Sequence, residues 1–120
     1  MGKAYMSENK REMAVSAAKI ASQSRCSDVV VLDLTEKSPA TDYFVVATGT
    51  SDRQMRTVAD EISRNAAQMG FARFGKAGYE QASWILLDFV DVVVHIFNEE
   101  YRGYYDLEML WGDAEKLEIC

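Results

Sequence analysis

The segment from Trp84 to Phe97 constrains the fold more than any other part of the sequence. It consists of two runs rich in valine, isoleucine, leucine and aromatic residues, joined through Phe89 and Val90. Such residues favour strands, so the segment predicts a tight β-hairpin. Its apolar character is nearly continuous rather than alternating, which is typical of strands covered on both faces. We therefore expect helices to lie on a sheet built around this hairpin.

The hairpin connection itself is chemically unusual. Two-residue hairpin turns favour Asn-Gly or Asp-Gly because they need positive φ angles, and Val90 is β-branched and resists that conformation. Either the turn is longer than two residues, or the backbone is strained there.

The other periodic segments complete an α/β domain. In chain order they predict a helix over 7–25 capped by Ser7, strands over 28–33 and 42–48, a helix between Ser51 and Gly70, a short edge strand over 71–76, and a helix from about Tyr104 to Trp111. In the second helix, Ser51 and Gln54 form a capping box, and Gly70 is placed to end it in the left-handed conformation. Its apolar stripe consists of Met55, Val58, Ala59, Ile62, Ala66 and Met69.

These elements predict one mixed β-sheet with helices packed on it. The chain has 120 residues, enough for one domain with a substantial core but not for two. We expect a single domain over residues 1–120, with its core at about 8–111 and a frayed tail at 112–120.

Charge and composition narrow the classes of partner. The net charge is −6 and the sequence pI is about 4.7. An acidic surface repels phosphate, so direct sequence-independent binding to RNA or DNA is disfavoured, and we expect no direct sequence-specific binding either. A basic protein remains a suitable partner. No apolar run approaches the ~20 residues of a membrane helix. The first ten residues lack the apolar core of a signal peptide, so we expect a cytoplasmic protein, with the matrix of an organelle after processing as the alternative.

The residues that bind metals or form disulfides are few. The chain has two cysteines, Cys26 and Cys120, and one histidine, His95. A zinc site needs clustered cysteine and histidine ligands. We therefore expect no metal site, no disulfide framework and no cofactor.

Two groups of residues suggest catalysis, and each also has a structural interpretation. Asp88, Asp91 and His95 could hold Mg²⁺ and supply a base. The carboxylates also suit the ends of a turn, and His95 suits a half-buried strand position, which we favour. The turn at 49–51 could hold a phosphate at a helix N-terminus, as in nucleotidyltransferases. No Asp-x-Asp or Asp-x-Glu pair stands on a predicted strand, so a helix cap is the favoured interpretation.

Aromatic residues at strand ends and loop tips mark either protein interfaces or core positions. Trp84 begins a strand and Phe89 lies at the hairpin turn, and for both the two interpretations are equally supported. Trp111 follows a helical stripe, which favours the core.

Four stretches, taken together, resemble the ribosomal silencing factor family, also called RsfS or Iojap. They are DVVVLDL at 28–34, TDYFVVATGTSDRQ at 41–54, WILLD at 84–88 continued by DVVVHIF at 91–97, and RGYYDLEMLW at 102–111. They follow the order in which the family has them and cover most of the chain between Asp28 and Trp111.

The resemblance implies both a fold and a function. The fold would be similar to that of nucleotidyltransferases but without the catalytic carboxylates. The protein would be a translational repressor that binds the large ribosomal subunit through its ribosomal protein fourteen and blocks joining of the small subunit when nutrients are scarce. Mitochondrial and plastid relatives are tied to large-subunit assembly, and homodimers occur in the family.

Resemblance and aromatic placement together suggest a docking surface. It consists of Trp84, Leu86 and Asp88 on one strand face and Phe89 at the turn, with Tyr104 and Tyr105 as secondary candidates. Two positions depart from the family pattern: Ala77 stands where a glutamate is usual and Val90 where a glycine is usual. The functional alternatives are a large-subunit assembly factor and a nucleotide-binding transferase.

Overall fold

Within residues 3–72, 75–104 and 114–117, which are those that this computed structural model describes, six strands form one sheet. Side chains are described over 9–72, 75–103 and 114–117. The strands are β1 (Ser27–Asp33), β2 (Tyr43–Thr48), β3 (Gly75–Ala77), β4 (Trp84–Asp88), β5 (Val92–Phe97) and β6 (Glu115–Lys116). The helices are α1 (Lys3–Gln23), α2 (Asp52–Gln68) and α3 (Glu99–Tyr104).

The sheet is mixed, as the sequence predicted. The strand order is β3-β4-β5-β2-β1-β6. β2 and β5 are parallel neighbours in a register from Tyr43 opposite Val92 to Thr48 opposite Phe97. All other pairings are antiparallel, including the predicted hairpin of β4 and β5. The hairpin therefore lies inside the sheet, paired with β3 on one side and β2 on the other.

The two long helices pack on the same face of the sheet. Their buried side chains, such as Met13 on α1 and Ile62 on α2, form one core cluster with Val45, Val94 and Ile85 from the central strands. The strands are buried on both faces, as their nearly continuous apolar character predicted. On the second face, opposite α1 and α2, the side chains of Leu32, Val46 and Phe97 are fully buried.

Helix α2 follows its sequence signals closely. The Ser51 hydroxyl accepts a hydrogen bond from the Gln54 backbone N–H at 3.1 Å. The Gln54 side chain reaches back one residue further than a capping box requires, because its Oε1 accepts from Thr50 N–H at 2.9 Å. Gly70, with φ 91°, ends the helix in the left-handed conformation, and Phe71 N–H donates to Ala66 O. Five of the six residues of the predicted stripe are buried, and Met69 is half-buried.

Helix α1 differs from the prediction at both ends. It begins at Lys3, so Ser7 lies within the helix and is not its N-cap. No helix-breaking residue stands between Lys3 and Ser7, so the helix extends beyond Ser7 toward the N-terminus as far as Lys3. At the other end α1 stops at Gln23, and Arg25 takes the left-handed position with φ 74°. Cys26 N–H donates to Ala21 O and Arg25 N–H to Ser22 O, a helix end that usually uses glycine.

At both edges of the sheet, the observed strand boundaries differ from those predicted from the sequence. β3 is an edge strand as predicted, but it covers Gly75–Ala77, since Phe71 belongs to the end of α2. The tail was expected to fray, yet its described part, 114–117, pairs with β1. Leu117 N–H donates to Val31 O at 2.9 Å, and the Ala114 and Leu117 side chains are buried. Two apolar anchors thus hold an otherwise polar strand on the sheet.

The C-terminal helix begins earlier than the sequence suggested. α3 covers Glu99–Tyr104, and the Asn98 side chain accepts from Tyr101 N–H at 2.8 Å as its cap. The predicted helical stripe up to Trp111 lies outside the described residues.

Candidate functional site

An aromatic cluster lies on the second face of the sheet, opposite α1 and α2. It consists of Phe44 from β2, Trp84 from β4, and His95 and Phe97 from β5. The ring centroids of Phe44 and His95 are 4.7 Å apart, and those of Trp84 and Phe97 are 5.0 Å apart. These spacings are typical of stabilising aromatic contacts. The cluster spans three neighbouring strands and gives this face a rigid centre.

Strand alternation places the predicted docking residues beside this cluster. Trp84, Leu86 and Asp88 share one face of β4, as predicted, and each is half-buried. Ile85 and Leu87 between them are buried in the core beneath the helices. The hairpin register sets Leu86 opposite His95. The result is a partly exposed apolar strip along the rim of the aromatic cluster.

A hydrogen bond joins two members of the aromatic cluster. The Trp84 Nε1–H donates to His95 Nδ1 at 3.1 Å. Because an indole nitrogen can only donate, Nδ1 must be the unprotonated nitrogen of a neutral imidazole. The His95 side chain is buried, and this burial lowers its pKa from 6.5 to about 4. The imidazole is therefore held neutral in the tautomer that carries its proton on Nε2.

The hairpin turn resolves the question that its sequence raised. Phe89 N–H donates to Val92 O, and Asp91 N–H donates to Phe89 O, both at 2.9 Å. This second bond closes a γ-turn centred on Val90, whose φ is 73°. A β-branched residue therefore occupies a strained conformation, and its side chain is 49% exposed. The Asp88 carboxylate supports the turn by accepting from Val90 N–H at 2.7 Å.

The sequence allowed Phe89 to lie either at an interface or in the core, and the structure places it in the core. Its ring is 4% exposed and belongs to the cluster formed by the helices and the central strands. It anchors the hairpin tip from the helix side and does not extend the apolar strip on the second face. The side chains of Tyr104 and Tyr105, the secondary candidates, lie outside the described residues.

The three candidate catalytic residues are not brought together. Asp88 caps the turn, and His95 accepts from Trp84. Asp91 instead pairs with Lys10 of α1, at 3.2 Å between Oδ2 and Nζ. The same lysine is 3.4 Å from Asp42, and although partial burial opposes it, the two carboxylates raise the pKa of Lys10. These ion pairs attach α1 to the hairpin end of the sheet.

Polar groups at the turn 49–51 are already hydrogen-bonded within the protein. Thr50 N–H is bonded to Gln54 Oε1, and Gln54 N–H to the Ser51 hydroxyl. Gln54 Nε2 donates to Ser24 O at 2.8 Å and so ties this turn to the end of α1. Among the described residues, no three His, Cys, Asp or Glu side chains are grouped so that they could hold a metal ion. Within the same ranges, no helix has the length and hydropathy of a membrane span.

The loop before Trp84 is held by contacts that the sequence did not reveal. We call them the clasp, and they involve Arg56, Asp60, Lys76, Tyr79 and Glu80. Arg56 of α2 donates from Nε to Tyr79 O at 3.0 Å and from its guanidinium to Glu80 O at 2.6 Å. The Tyr79 hydroxyl donates to Asp60 at 2.9 Å, and Lys76 Nζ lies 4.0 Å from the centre of the Tyr79 ring. From the sequence, Arg56 is expected on the solvated face of α2. Its hydrogen bonds to the loop are visible only in the structure. The clasp fixes where β4, and thus Trp84, begins.

Comparison with known proteins identifies relatives of the whole domain. The sequence model of a family described as "Ribosomal silencing factor during starvation" matches residues 7–120. A ribosomal silencing factor from Bacillus subtilis is 39% identical over 106 residues, which are 88% of this chain and 90% of the relative. The chloroplast protein Iojap of Zea mays is 35% identical over 106 residues, 88% of this chain and 46% of that protein.

The fold is similar to that of solved structures. A crystal structure from Chromobacterium violaceum aligns with a TM-score of 0.77 and 31% identity, covering 88% of this chain and 85% of the other. A crystal structure from Bacillus halodurans aligns with a TM-score of 0.72 and 36% identity, covering 89% and 94%.

Proposed function

The chain belongs to the ribosomal silencing factor family, and from this we propose that it represses translation by binding the large ribosomal subunit. We further propose that it docks on ribosomal protein fourteen of that subunit and thereby blocks joining of the small subunit when nutrients are limiting. The observation that carries the proposal is the family match over residues 7–120. Under this proposal the protein acts in the cytoplasm, where it meets the ribosomal subunits.

The second face of the sheet is the proposed docking surface. Trp84 and Leu86 present partly exposed apolar side chains from a central strand, beside a rigid aromatic cluster. A rigid surface loses little conformational entropy on binding, and aromatic anchors commonly dominate interface energies. Asp88 lies at the end of this strip, where a carboxylate suits a basic protein. Phe89 supports the hairpin from beneath, and Tyr104 and Tyr105 remain secondary candidates.

A blocking mechanism needs no catalytic centre. A bound protein that occupies the contact region of the small subunit prevents joining by excluded volume. The net charge of −6 adds repulsion toward the RNA of the approaching subunit. The ion pair of Asp91 with Lys10 and the turn contact of Asp88 support structural roles for these residues, and the relatives are named as silencing factors rather than enzymes.

Co-sedimentation tests the proposal. The purified protein is mixed separately with large subunits, small subunits and joined ribosomes, and each mixture is centrifuged through a sucrose cushion. We expect the protein to pellet with large subunits only, and subsequent addition of small subunits to yield fewer joined ribosomes. A cross-linked product with ribosomal protein fourteen would support the specific partner. Pelleting with no particle, or undiminished joining, would contradict the proposal.

The assembly alternative makes a different prediction in cells. Loss of an assembly factor leads to accumulation of precursor large subunits during growth. Loss of a silencing factor leaves mature subunits and impairs survival of starvation, which is the outcome we expect. The resemblance also implies a homodimer, and sedimentation equilibrium of the free protein at several concentrations tests it.

A further inference from the structure

We infer that His95 is a positioning residue that holds the indole ring of Trp84 in the orientation required for docking on the large ribosomal subunit. This inference rests on the proposed function, because it concerns how the proposed docking surface is kept in one conformation. It assigns a role to the single histidine of the chain.

A directional contact adds to the ring packing of the indole. Trp84 packs against Phe97 with 5.0 Å between ring centroids and lies 5.9 Å from the centroid of His95. Ring packing sets the orientation about χ2 less sharply than a directional hydrogen bond does, because the energy wells of χ2 are broad. The indole N–H is the one polar group of the ring, and its bond to His95 Nδ1 at 3.1 Å distinguishes one orientation from the flipped one.

The acceptor is itself immobile. The His95 side chain is 5% exposed, and its ring packs edge-on against Phe44 and stacks with Phe97 at an interplanar angle of 7°. These contacts come from two different strands, β2 and β5, so the nitrogen that meets Trp84 is fixed before any partner arrives. Preorganisation of this kind reduces the entropy lost on binding.

The second imidazole nitrogen indicates that the histidine is not an ordinary core residue. Nε2 is buried and has no hydrogen-bond partner among the described residues. A buried donor without a partner destabilises a fold, and an apolar side chain at this position would avoid the penalty. Histidine at this position provides one polar contact that an apolar side chain could not make, the hydrogen bond to Trp84.

Two substitutions of His95 separate positioning from stability. His95→Asn keeps an acceptor oxygen close to the place of Nδ1, whereas His95→Leu removes the acceptor and stays apolar. We expect His95→Leu to weaken binding to large subunits roughly three- to tenfold, the effect of one neutral hydrogen bond. His95→Asn should remain within about twofold of the wild type. Val58→Ala, which destabilises α2 on the other face of the sheet, is the control and should bind as the wild type once corrected for the folded fraction.

A double substitution tests whether His95 acts through the indole. Trp84→Phe keeps an aromatic ring and lacks the N–H donor. If His95 works through that donor, His95→Leu should have no further effect on binding in the Trp84→Phe background. The ¹H–¹⁵N spectrum reports on the same contact without ribosomes, since loss of the acceptor should move the indole N–H signal of Trp84 further in His95→Leu than in His95→Asn. Trp111→Phe assigns the two indole signals.

The outcomes distinguish this inference from the proposed function. If wild-type protein fails to pellet with large subunits, the function is contradicted, and the indole spectra still decide whether His95 orients Trp84. If wild-type protein binds and His95→Leu binds equally well, or the two His95 variants lose binding in equal measure, the inference is overturned. The same holds if the effects of Trp84→Phe and His95→Leu are additive.

Discussion

Gly78 lies against the carbonyl oxygen of Trp84 so closely that a β-carbon at position 78 would collide with it. Its φ of 75° is also one that side chains disfavour. This glycine allows the loop held by Arg56 to turn directly into β4. Gly70, at the end of α2, offers a natural comparison, because its φ is 91° and nothing lies within 4 Å of a β-carbon built there.

We expect Gly78→Ala to destabilise the protein much more than Gly70→Ala. The change at Gly70 adds only the left-handed strain of an L-residue, about 1 kcal/mol. The change at Gly78 adds the same strain and a backbone collision, so a loss of about 3 kcal/mol or more is expected. Urea unfolding of the two variants beside the wild type measures both values. Equal losses would show that the loop relaxes freely and does not fix the start of β4.

Val90→Gly should stabilise the protein. Val90 has a φ of 73° and an exposed side chain, so the substitution relieves strain and removes little packing. The gain is reduced by the greater freedom of glycine in the unfolded chain, leaving about 0.5–1 kcal/mol. Val90→Ala serves as the control, since it removes the branch and retains the disfavoured φ. A thermal or urea midpoint for Val90→Gly at or below that of the wild type would contradict this assignment of strain.

Local signals predicted local structure well. Ser51, Gln54 and Gly70 fixed the two ends of α2 because capping depends on residues within one turn of the helix. The same kind of signal failed at Ser7, where good helix-forming residues extend α1 past a residue that could have capped it. After α1 the left-handed position is taken by Arg25, so no glycine marks the end of this helix in the sequence.

Long-range relationships were not accessible from the sequence. Nothing local specifies that β2 lies parallel to β5, or that Glu115 and Lys116 pair with β1. The shared face of Trp84 and Leu86 followed from strand alternation, whereas the Trp84–His95 bond depends on the hairpin register and the geometry of both rings. Phe89 at a turn was equally compatible with an interface and with the core, and only the packing of both long helices on one face placed its ring inside.

Trp84→Ala should weaken binding to large subunits at least tenfold. It removes the aromatic anchor of the proposed docking surface, and loss of such anchors commonly costs about 2 kcal/mol or more. Leu86→Ala, which opens no gap in the core beneath the helices, should weaken binding by a smaller factor. Arg64→Ala, an exposed change on α2, is the matched control and should bind as the wild type. Quantitative pelleting at several subunit concentrations gives the dissociation constants. Full binding by both sheet variants would rule out this face as the docking surface.

Acidification should destabilise the protein through His95. In the unfolded chain the imidazole takes up a proton near pH 6.5, whereas burial lowers its pKa in the folded protein to about 4. Between these values the unfolded state binds more protons than the folded state, so stability falls as the pH falls from about 6.5 to about 4.

The full effect on the free energy of unfolding is about 3 kcal/mol, since each pKa unit corresponds to about 1.4 kcal/mol. His95→Asn removes the titrating group and keeps an acceptor for Trp84, so the difference between the two unfolding curves isolates His95 from the carboxylates that titrate in the same range. Urea unfolding of both proteins between pH 4 and pH 7 is the measurement. The wild type should lose stability more steeply on acidification, because protonation both charges a buried ring and removes the lone pair that accepts from Trp84. Parallel curves would mean that water reaches the imidazole in the folded protein and that its burial does not suppress protonation.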